Sequence, residues 1–149
     1  MEAPPRGLRL NNEDLKIESV LGWGASATVY GLSGTGTKKY AAKVAHEGED
    51  PALSHEFRII QDLKNIPVAI GILPSLDNRE ALILEPVGEL ISAAMLDEHS
   101  LDIFCWFPMN IIAALKHCHA KGYVHRDVRT ANIILVQEKS STMAVLIDW

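Results

Sequence analysis

The side chains with the clearest capacity for chemistry lie between Tyr123 and Val136, in the stretch YVHRDVRTANIILV. Asp127 and Asn132 carry oxygen atoms in a polar loop that leads into a strand-like run, and their spacing lets both point into one cleft. Asp148 follows the next strand-like run and offers a further carboxylate close by. Oxygen ligands with little negative charge suit Mg²⁺ better than a thiolate or imidazole set does. Such a Mg²⁺ ion would in turn require a phosphate group.

A lysine and a glutamate in the first half of the sequence form a second candidate pair. Lys43 lies in the segment AAKV, and a lysine that faces the inside of a strand needs a counter-charge. On a helix that runs from Pro51 to about Lys64, Glu56 falls inside the apolar arc. A carboxylate in that position is costly unless it is paired. We therefore predict a Lys43–Glu56 ion pair, with an exposed lysine and a solvated helix edge as the alternatives.

Two glycines in the segment GWGASATVY lie between two strand-like runs. Glycine lets a backbone approach a ligand closely, and successive N–H groups in such a turn can cradle phosphate oxygens. Gly22 and Gly24 therefore indicate a phosphate-binding loop, although a hairpin that binds no ligand explains the same residues. Singly, Asp127 is equally explained as a turn former and Asn132 as a cap. The combination of these motifs in this order is what favours phosphoryl transfer.

The elements that position these side chains follow from the apolar patterns. Three antiparallel strands are predicted between Ile17 and Val44, then a helix that begins at Asp50-Pro51. Two further strands are predicted at 68–76 and 81–84, separated by a turn at Asp77-Asn78.

Beyond Gly88 the apolar residues take helical spacing, and Gly122 is well placed as the C-terminal cap of a helix. Pro108 is predicted to begin that helix or to kink it. The runs IILV and MAVLID then predict a hairpin. The apolar face of the predicted helix is made by Ile111, Ile112, Leu115 and Cys118.

The composition and charge of the sequence argue against several classes of function. The formal net charge is −5, and no run of Lys and Arg indicates a nucleic-acid or membrane surface. No apolar run is long enough to span a bilayer, and the first residues lack the apolar centre of a signal peptide, which predicts an intracellular, cytoplasmic or nuclear protein. Neighbouring residues on a helix point about 100° apart, so His117, Cys118 and His119 cannot all face one metal ion. Cys105 and Cys118 are expected to be reduced and buried.

From about Leu15 to Trp149 the sequence resembles the catalytic domain of eukaryotic-type protein kinases. LGWGASATVY resembles the Gly-rich loop, AAKV the strand with the phosphate-binding lysine, and HRDVRTAN the catalytic loop. Asp148-Trp149 stands where the DFG motif begins, so the domain is expected to be truncated there. The resemblance implies an α+β fold: a five-stranded antiparallel N-lobe sheet with one C-helix, then the first helices and the catalytic-loop hairpin of an incomplete helical C-lobe. The expected divisions are a flexible leader at 1–14, the N-lobe and hinge at 15–87, and a partial C-lobe at 88–149.

The resemblance also implies roles for individual residues. Asp127 would orient the hydroxyl of a protein substrate and accept its proton, while Asn132 and Asp148 would hold Mg²⁺. Lys43, fixed by Glu56, would contact the α- and β-phosphates of ATP. The remaining nucleotide contacts that the resemblance implies are those of Leu21, Gly22, Gly24, Val29, Ala41, Leu84, Glu85, Val87 and Ile134.

Some positions depart from the family pattern. Ala27 replaces a third loop glycine, and its Cβ is expected to restrict the loop and lower nucleotide affinity. Trp149 replaces the usual phenylalanine. Arg129 would steady the transferring phosphate where serine/threonine kinases commonly carry lysine, but some tyrosine kinases also have arginine there, so the acceptor residue stays open.

Two other functions remain possible at this point. One is a truncated pseudokinase or regulatory module that binds nucleotide or associates with a full-length kinase without catalysing transfer. The other is a small-molecule kinase of related fold, but such enzymes usually lack the arginine that Arg126 provides between the catalytic-loop histidine and aspartate.

Overall fold

The computed structural model describes residues 3–48, 53–65, 67–75, 77–91, 100–137, 139 and 141–149, with the backbone alone for residues 100–105. The chain divides into two compact units, Met1–Asp62 with Val68–Val87 and Leu63–Pro67 with Gly88–Trp149. Within the described ranges, no helix is both long enough and apolar enough to cross a membrane. The predicted helix start at Asp50-Pro51 and the side chain of Cys105 lie outside the described residues.

The first unit is built on a five-stranded antiparallel sheet, which confirms the predicted fold class. Its strands follow the order β3-β4-β5-β7-β6, and a separate two-stranded ladder of β1 and β2 precedes it. The elements of this unit are β1 (Arg9–Leu10), β2 (Glu13–Asp14), β3 (Lys16–Trp23), β4 (Ala27–Ser33), β5 (Lys39–Ala45), the helix α1 (Leu53–Leu63), β6 (Val68–Pro74) and β7 (Glu80–Glu85).

The two faces of this sheet differ in burial because successive strand residues point to opposite sides. Tyr30, Ala42 and Ile83 lie on one face and belong to the main apolar core of the unit. Leu8 and Leu15 pack into the same core. The second half of the predicted leader at 1–14 forms the β1–β2 ladder and buries Leu8 in this core.

The helix α1 carries a buried stripe, as its apolar pattern predicts. Leu53, Ile60 and Leu63 are buried, and Glu56 is buried among them. Gln61 Nε2 donates a hydrogen bond of 2.7 Å to Ala69 O, which ties the helix to β6. The predicted position of Glu56 inside the apolar stripe is therefore confirmed, and its buried carboxylate requires a counter-charge.

The predicted turn between β6 and β7 is present and is closed by polar bonds. Asn78 has a left-handed backbone with φ of 61°, which asparagine tolerates well. Arg79 Nη2 lies 2.8 Å from Asp77 Oδ2, and Ser75 Oγ also donates to the Asp77 carboxylate. The hydrogen bond from Arg79 is the main reason that the pKa of Asp77 falls from 3.8 to about 2, against the opposing effect of burial.

This lowered pKa predicts a pH-dependent contribution to stability. Asp77→Asn should lower the free energy of unfolding by about 1–2 kcal/mol at pH 7, since the charged carboxylate is stabilised only in the folded chain. The contribution is complete above the unfolded pKa near 4 and is lost as the pH falls toward about 2. Urea unfolding of both proteins from pH 6 to pH 2 checks this. A gap that stays constant over that range would contradict the assignment.

The second unit contains a three-stranded antiparallel sheet and one long helix. The sheet has the order β10-β9-β8, and its β9–β10 pair is the predicted hairpin. Ile133, Leu135 and Leu146 pack with Ile111 of the helix, and Asn110 Oδ1 accepts a 3.0 Å bond from Ala144 N. The elements are β8 (Glu89–Leu90), α2 (Ser100–Ala120), a 3₁₀ turn (Thr130–Asn132), β9 (Ile133–Gln137) and β10 (Thr142–Leu146).

Three sequence predictions concern α2: its glycine cap, its proline and its apolar face. Gly122 has φ of 83°, and Tyr123 N donates to Cys118 O at 3.1 Å, so the predicted glycine cap is confirmed. Pro108 lies inside α2, so the alternative in which it begins the helix is wrong. Ile112 was predicted on the apolar face but is 50% exposed, because the hairpin packs on only part of that face.

Two further residues of α2, His117 and Cys118, have structural partners. Cys118 is a buried free thiol whose Sγ donates to Tyr123 O at 3.1 Å, and burial raises its pKa. His117 Nε2 lies 2.6 Å from Leu63 O, a hydrogen bond in which the ring nitrogen donates. Among the described residues, no group of three or more His, Cys, Asp or Glu side chains is placed to hold a metal ion.

Candidate active site

The loop between β3 and β4 is a tight turn around Gly24. Gly24 N donates to Ala27 O at 2.8 Å, and a Cβ on Gly24 would lie only 3.2 Å from the same oxygen. A Cβ on Gly22 would meet nothing within 4 Å, so that glycine borders open space. Ala27 pairs with Ala45 as an ordinary strand residue and has no positive φ. The backbone therefore does not require glycine at position 27.

The predicted nucleotide contacts of the first unit share one face of its sheet. Val29 pairs with Lys43, and Ala41 pairs with Leu84, so all four side chains point to the side opposite the main core. Leu21 reaches the same face, since its side chain lies 3.4 Å from the place where a Cβ of Gly31 would stand. Gly31 itself pairs with Ala41. The structure thus assembles these apolar contacts around one lysine.

Lys43 and Glu56 form the predicted ion pair. Lys43 Nζ lies 2.6 Å from Glu56 Oε2, and the two side chains are only 18% and 6% exposed. Burial of both charges removes water that would otherwise solvate them, so the short contact compensates only part of that cost. A buried ion pair is therefore weak evidence that these residues stabilise the fold. It does hold the ammonium group of Lys43 in one place, which is useful if that group has a ligand to meet.

The catalytic-loop residues of the second unit are brought together around Asp127. Asn132 is buried, and its Nδ2 donates to Asp127 Oδ2 at 2.8 Å and to Asp127 O at 3.0 Å. Arg129 Nε lies 3.0 Å from Asp127 Oδ2. The side chains of Arg129 and Asp127 are 64% and 52% exposed, so water screens their attraction. The Asn132 amide thus orients the Asp127 carboxylate, which remains accessible to an incoming group.

His125 links this loop to the strand end that carries Asp148. Its Nδ1 accepts a 3.3 Å bond from Asp127 N, which leaves the proton on Nε2 to be donated to Ile147 O at 2.8 Å. Ile147 N in turn donates to Asn132 O at 2.9 Å. The ring of His125 also meets Trp149 edge to face, with centroids 4.8 Å apart. One imidazole therefore sets the distance between the loop and the residue before Asp148.

Two residues next to the His125–Ile147 link have strained backbones. Arg126 has φ of 70° and Asp148 has φ of 69°, a left-handed region that costs roughly 1–2 kcal/mol for residues with a Cβ. Strain of this kind is concentrated at functional sites, where the surrounding bonds hold it. Arg126 and Asp148 directly follow His125 and Ile147, so the strain lies on both sides of the bond between those two residues. Such strain is consistent with a loop that is shaped to bind a ligand.

The donor groups suit a magnesium ion. Asn132 uses its amide nitrogen on Asp127, so its Oδ1 is the atom that would bind a cation, and Asp148 would add a carboxylate. Mg²⁺ is commonly held by one or two carboxylates together with substrate phosphates and water. The two ligands predicted from the sequence therefore fit this ion.

The other predicted contacts are Glu85, Val87 and Ile134. Glu85 ends β7, and Val87 follows it, both half-buried. Ile134 lies on the face of β9 that is opposite the face packed on α2, together with Val136 and Val145. Their nucleotide contacts remain predictions.

His46 is a residue that sequence reasoning missed. It follows β5 and bonds to the glycine-bearing loop through both its ring and its backbone. A single histidine after a strand carries no motif, and only the register of β4 against β5 brings it to the loop.

The comparisons with known proteins agree with this geometry. The sequence profile of the family described as "Protein kinase domain" matches residues 15–149. The chain is 33% identical over 136 residues to Serine/threonine-protein kinase PKH2 of Saccharomyces cerevisiae, which covers 83% of this chain and 12% of that protein. It is 29% identical over 137 residues to Mitogen-activated protein kinase kinase kinase 17 of Arabidopsis thaliana, covering 84% of this chain and 37% of that protein.

A third relative is Probable serine/threonine-protein kinase ECU02_0550 of Encephalitozoon cuniculi, 27% identical over 128 residues, with 83% of this chain and 25% of that protein covered. The chain thus spans between 12% and 37% of the length of these curated relatives. The sheet, the helix with its buried glutamate and the catalytic-loop hairpin define a protein-kinase-like fold. The chain belongs to the protein kinase family.

Proposed function

We propose that the protein transfers the γ-phosphoryl group of Mg·ATP to a serine or threonine hydroxyl of a protein substrate. The observation that carries the proposal is the buried Lys43–Glu56 pair, which holds an ammonium group on the face that also carries Val29, Ala41 and Leu84. A fixed cation beside apolar contacts suits a ligand with a flat apolar ring and phosphates. The printed names of the relatives, which are serine/threonine kinases, support the choice of acceptor.

Each residue then has a distinct task. Lys43 binds the α- and β-phosphates, and Glu56 keeps it in position. Asp127 orients the substrate hydroxyl and accepts its proton, while Asn132 fixes the Asp127 carboxylate through the Nδ2 bond. Asn132 Oδ1 and Asp148 would hold Mg²⁺, which when bound would neutralise phosphate charge. Because phosphoryl transfer needs positioning more than covalent chemistry, these groups supply most of what the reaction requires.

Thermal unfolding with and without Mg·ATP tests the nucleotide half of this proposal. A ligand that binds only the folded state adds about 2.7 kcal/mol at one hundred times its dissociation constant, which raises the midpoint by roughly 5–10 °C for a chain of this size. ATP with a chelator should give a smaller rise, and inorganic phosphate with Mg²⁺ should give none. A midpoint that Mg·ATP leaves unchanged would overturn the proposal.

Transfer of label from γ-labelled ATP to a protein rich in Ser and Thr tests the other half. We expect acid-stable, base-labile label on the acceptor. Nucleotide binding without any transfer would favour the regulatory alternative instead.

A further inference from the structure

His46 is tied to the glycine-bearing loop by its ring and by its backbone. Ring Nδ1 lies 3.1 Å from Ala25 O, and ring Nε2 lies 2.9 Å from Thr28 Oγ1. His46 N donates to Ser26 O at 2.9 Å. The ring also stacks on Trp23, with centroids 4.8 Å apart and planes 36° from parallel. These contacts reach both sides of the turn that Gly24 makes.

The chemistry of the partners determines the direction of each bond. A carbonyl oxygen can only accept, so Nδ1 carries a proton and donates to Ala25 O. The hydroxyl of Thr28 can donate or accept, so Nε2 keeps its bond whether the ring is neutral or charged. Thr28 is almost fully buried, which fixes its side chain and therefore the ring. The bonds of the His46 ring therefore do not depend on its charge.

Besides these bonds, the loop is held by the bond from Gly24 N to Ala27 O and by the pairing of Ala27 with Ala45. Its residues from Gly24 to Ala27 have small side chains, and Gly24 and Ala25 are exposed. Fixing the backbone of one residue costs roughly 1–2 kcal/mol of conformational entropy, and small side chains bury too little surface to offset that cost. The bonds from His46 supply this order before any ligand arrives. A loop that is already ordered binds its ligand with less loss of entropy.

We propose that His46 is a positioning residue that preorders the glycine-bearing loop for the phosphates of the nucleotide. It acts through Ala25, Ser26 and Thr28 and does not itself touch the ligand. The inference rests on the proposed function, because it assigns the loop to phosphate binding. It goes beyond that function by placing a determinant of nucleotide affinity at a residue outside the predicted site.

The decisive test compares Mg·ATP with adenosine, which lacks phosphates, in His46→Ala and the unaltered chain. We expect His46→Ala to weaken Mg·ATP binding by roughly threefold to tenfold, the equivalent of about one ordinary hydrogen bond. Adenosine affinity should stay within about twofold, since the apolar face of the sheet is not altered. Isothermal titration measures both. Equal weakening of the two ligands would indicate general damage and would overturn the inference.

Two further variants control the comparison. His46→Asn places an amide nitrogen where Nδ1 stands, so it should restore part of the Mg·ATP affinity by renewing the bond to Ala25 O. His55→Ala removes an exposed histidine of α1 and should leave both affinities unchanged. An Asn variant as weak as the Ala variant would argue against the ring–carbonyl bond as the cause.

Hydrogen exchange separates failure of this inference from failure of the proposed function. In His46→Ala the amide of Gly24 should exchange faster, while the amides of Tyr30 and Ala42 in the sheet core should not change. If the unaltered chain does not bind Mg·ATP, the proposed function fails, whatever the exchange shows. If it binds normally and His46→Ala changes neither Mg·ATP affinity nor Gly24 exchange, only the inference fails.

Discussion

Lys43→Met is expected to eliminate the rise in unfolding midpoint that Mg·ATP produces and to destabilise the folded chain as well. Methionine has similar length but no charge, so the phosphates lose their cation and the buried Glu56 carboxylate loses the ammonium group that lies 2.6 Å from it. Breaking a buried pair in this way typically costs about 3–5 kcal/mol. The midpoint should therefore fall without ligand and should not recover when Mg·ATP is added.

A double variant separates the two effects of this change. Lys43→Met with Glu56→Met replaces the pair by apolar side chains and should restore much of the stability, because apolar replacement of buried ion pairs is often neutral. It should not restore the response to Mg·ATP. Lys39→Met, an exposed lysine on the same strand, is the matched control and should change neither quantity. A full response to Mg·ATP in Lys43→Met would show that the phosphate site lies elsewhere.

Asp127→Asn should lower the rate of phosphate transfer by about 10²–10⁴-fold while nucleotide binding is kept, because the amide cannot accept the substrate proton. The substitution is nearly isosteric, and the remaining carbonyl oxygen can still accept the bond from Asn132 Nδ2. Initial rates of label transfer and the Mg·ATP-dependent midpoint rise measure the two quantities separately.

Asp14→Asn is the matched control for this experiment. Asp14 also pairs with an arginine, Arg9, at 2.7 Å, but its side chain is 82% exposed and lies on the β1–β2 ladder. We expect its loss to leave the transfer rate unchanged. If Asp127→Asn removed nucleotide binding from a protein that remained folded, the role assigned to Asp127 would be wrong.

Local patterns were sufficient to predict the five strands of the first sheet, the β9–β10 hairpin, the cap at Gly122 and the Lys43–Glu56 pair, but not the short strands β1, β2 and β8. The position of Glu56 on a helical wheel and the inward position of Lys43 each follow from short-range periodicity, and a buried charge allows few solutions. The resemblance to protein kinases then supplied the roles of Asp127 and Asn132, and the structure shows these two side chains bonded to each other.

The failures concern contacts that depend on tertiary packing. Leu8 lies in a segment rich in Pro and Gly, and only the complete sheet creates the core that buries it. Pro108 is tolerated inside α2, although a proline within an apolar pattern more often marks a helix boundary. His46 reaches the glycine-bearing loop through strand register, which a sequence without a motif does not reveal.

The link through Ile147 has a consequence for which substitutions this protein can accept. Both backbone groups of Ile147 are bonded, the N–H to Asn132 O and the C=O from His125 Nε2, and neither bond uses the Ile147 side chain. We therefore expect that Ile147 can be replaced by other apolar residues of similar volume while Asp148 stays in place. Position 125 has no such latitude, because a replacement must supply an acceptor and a donor on opposite sides of one rigid ring.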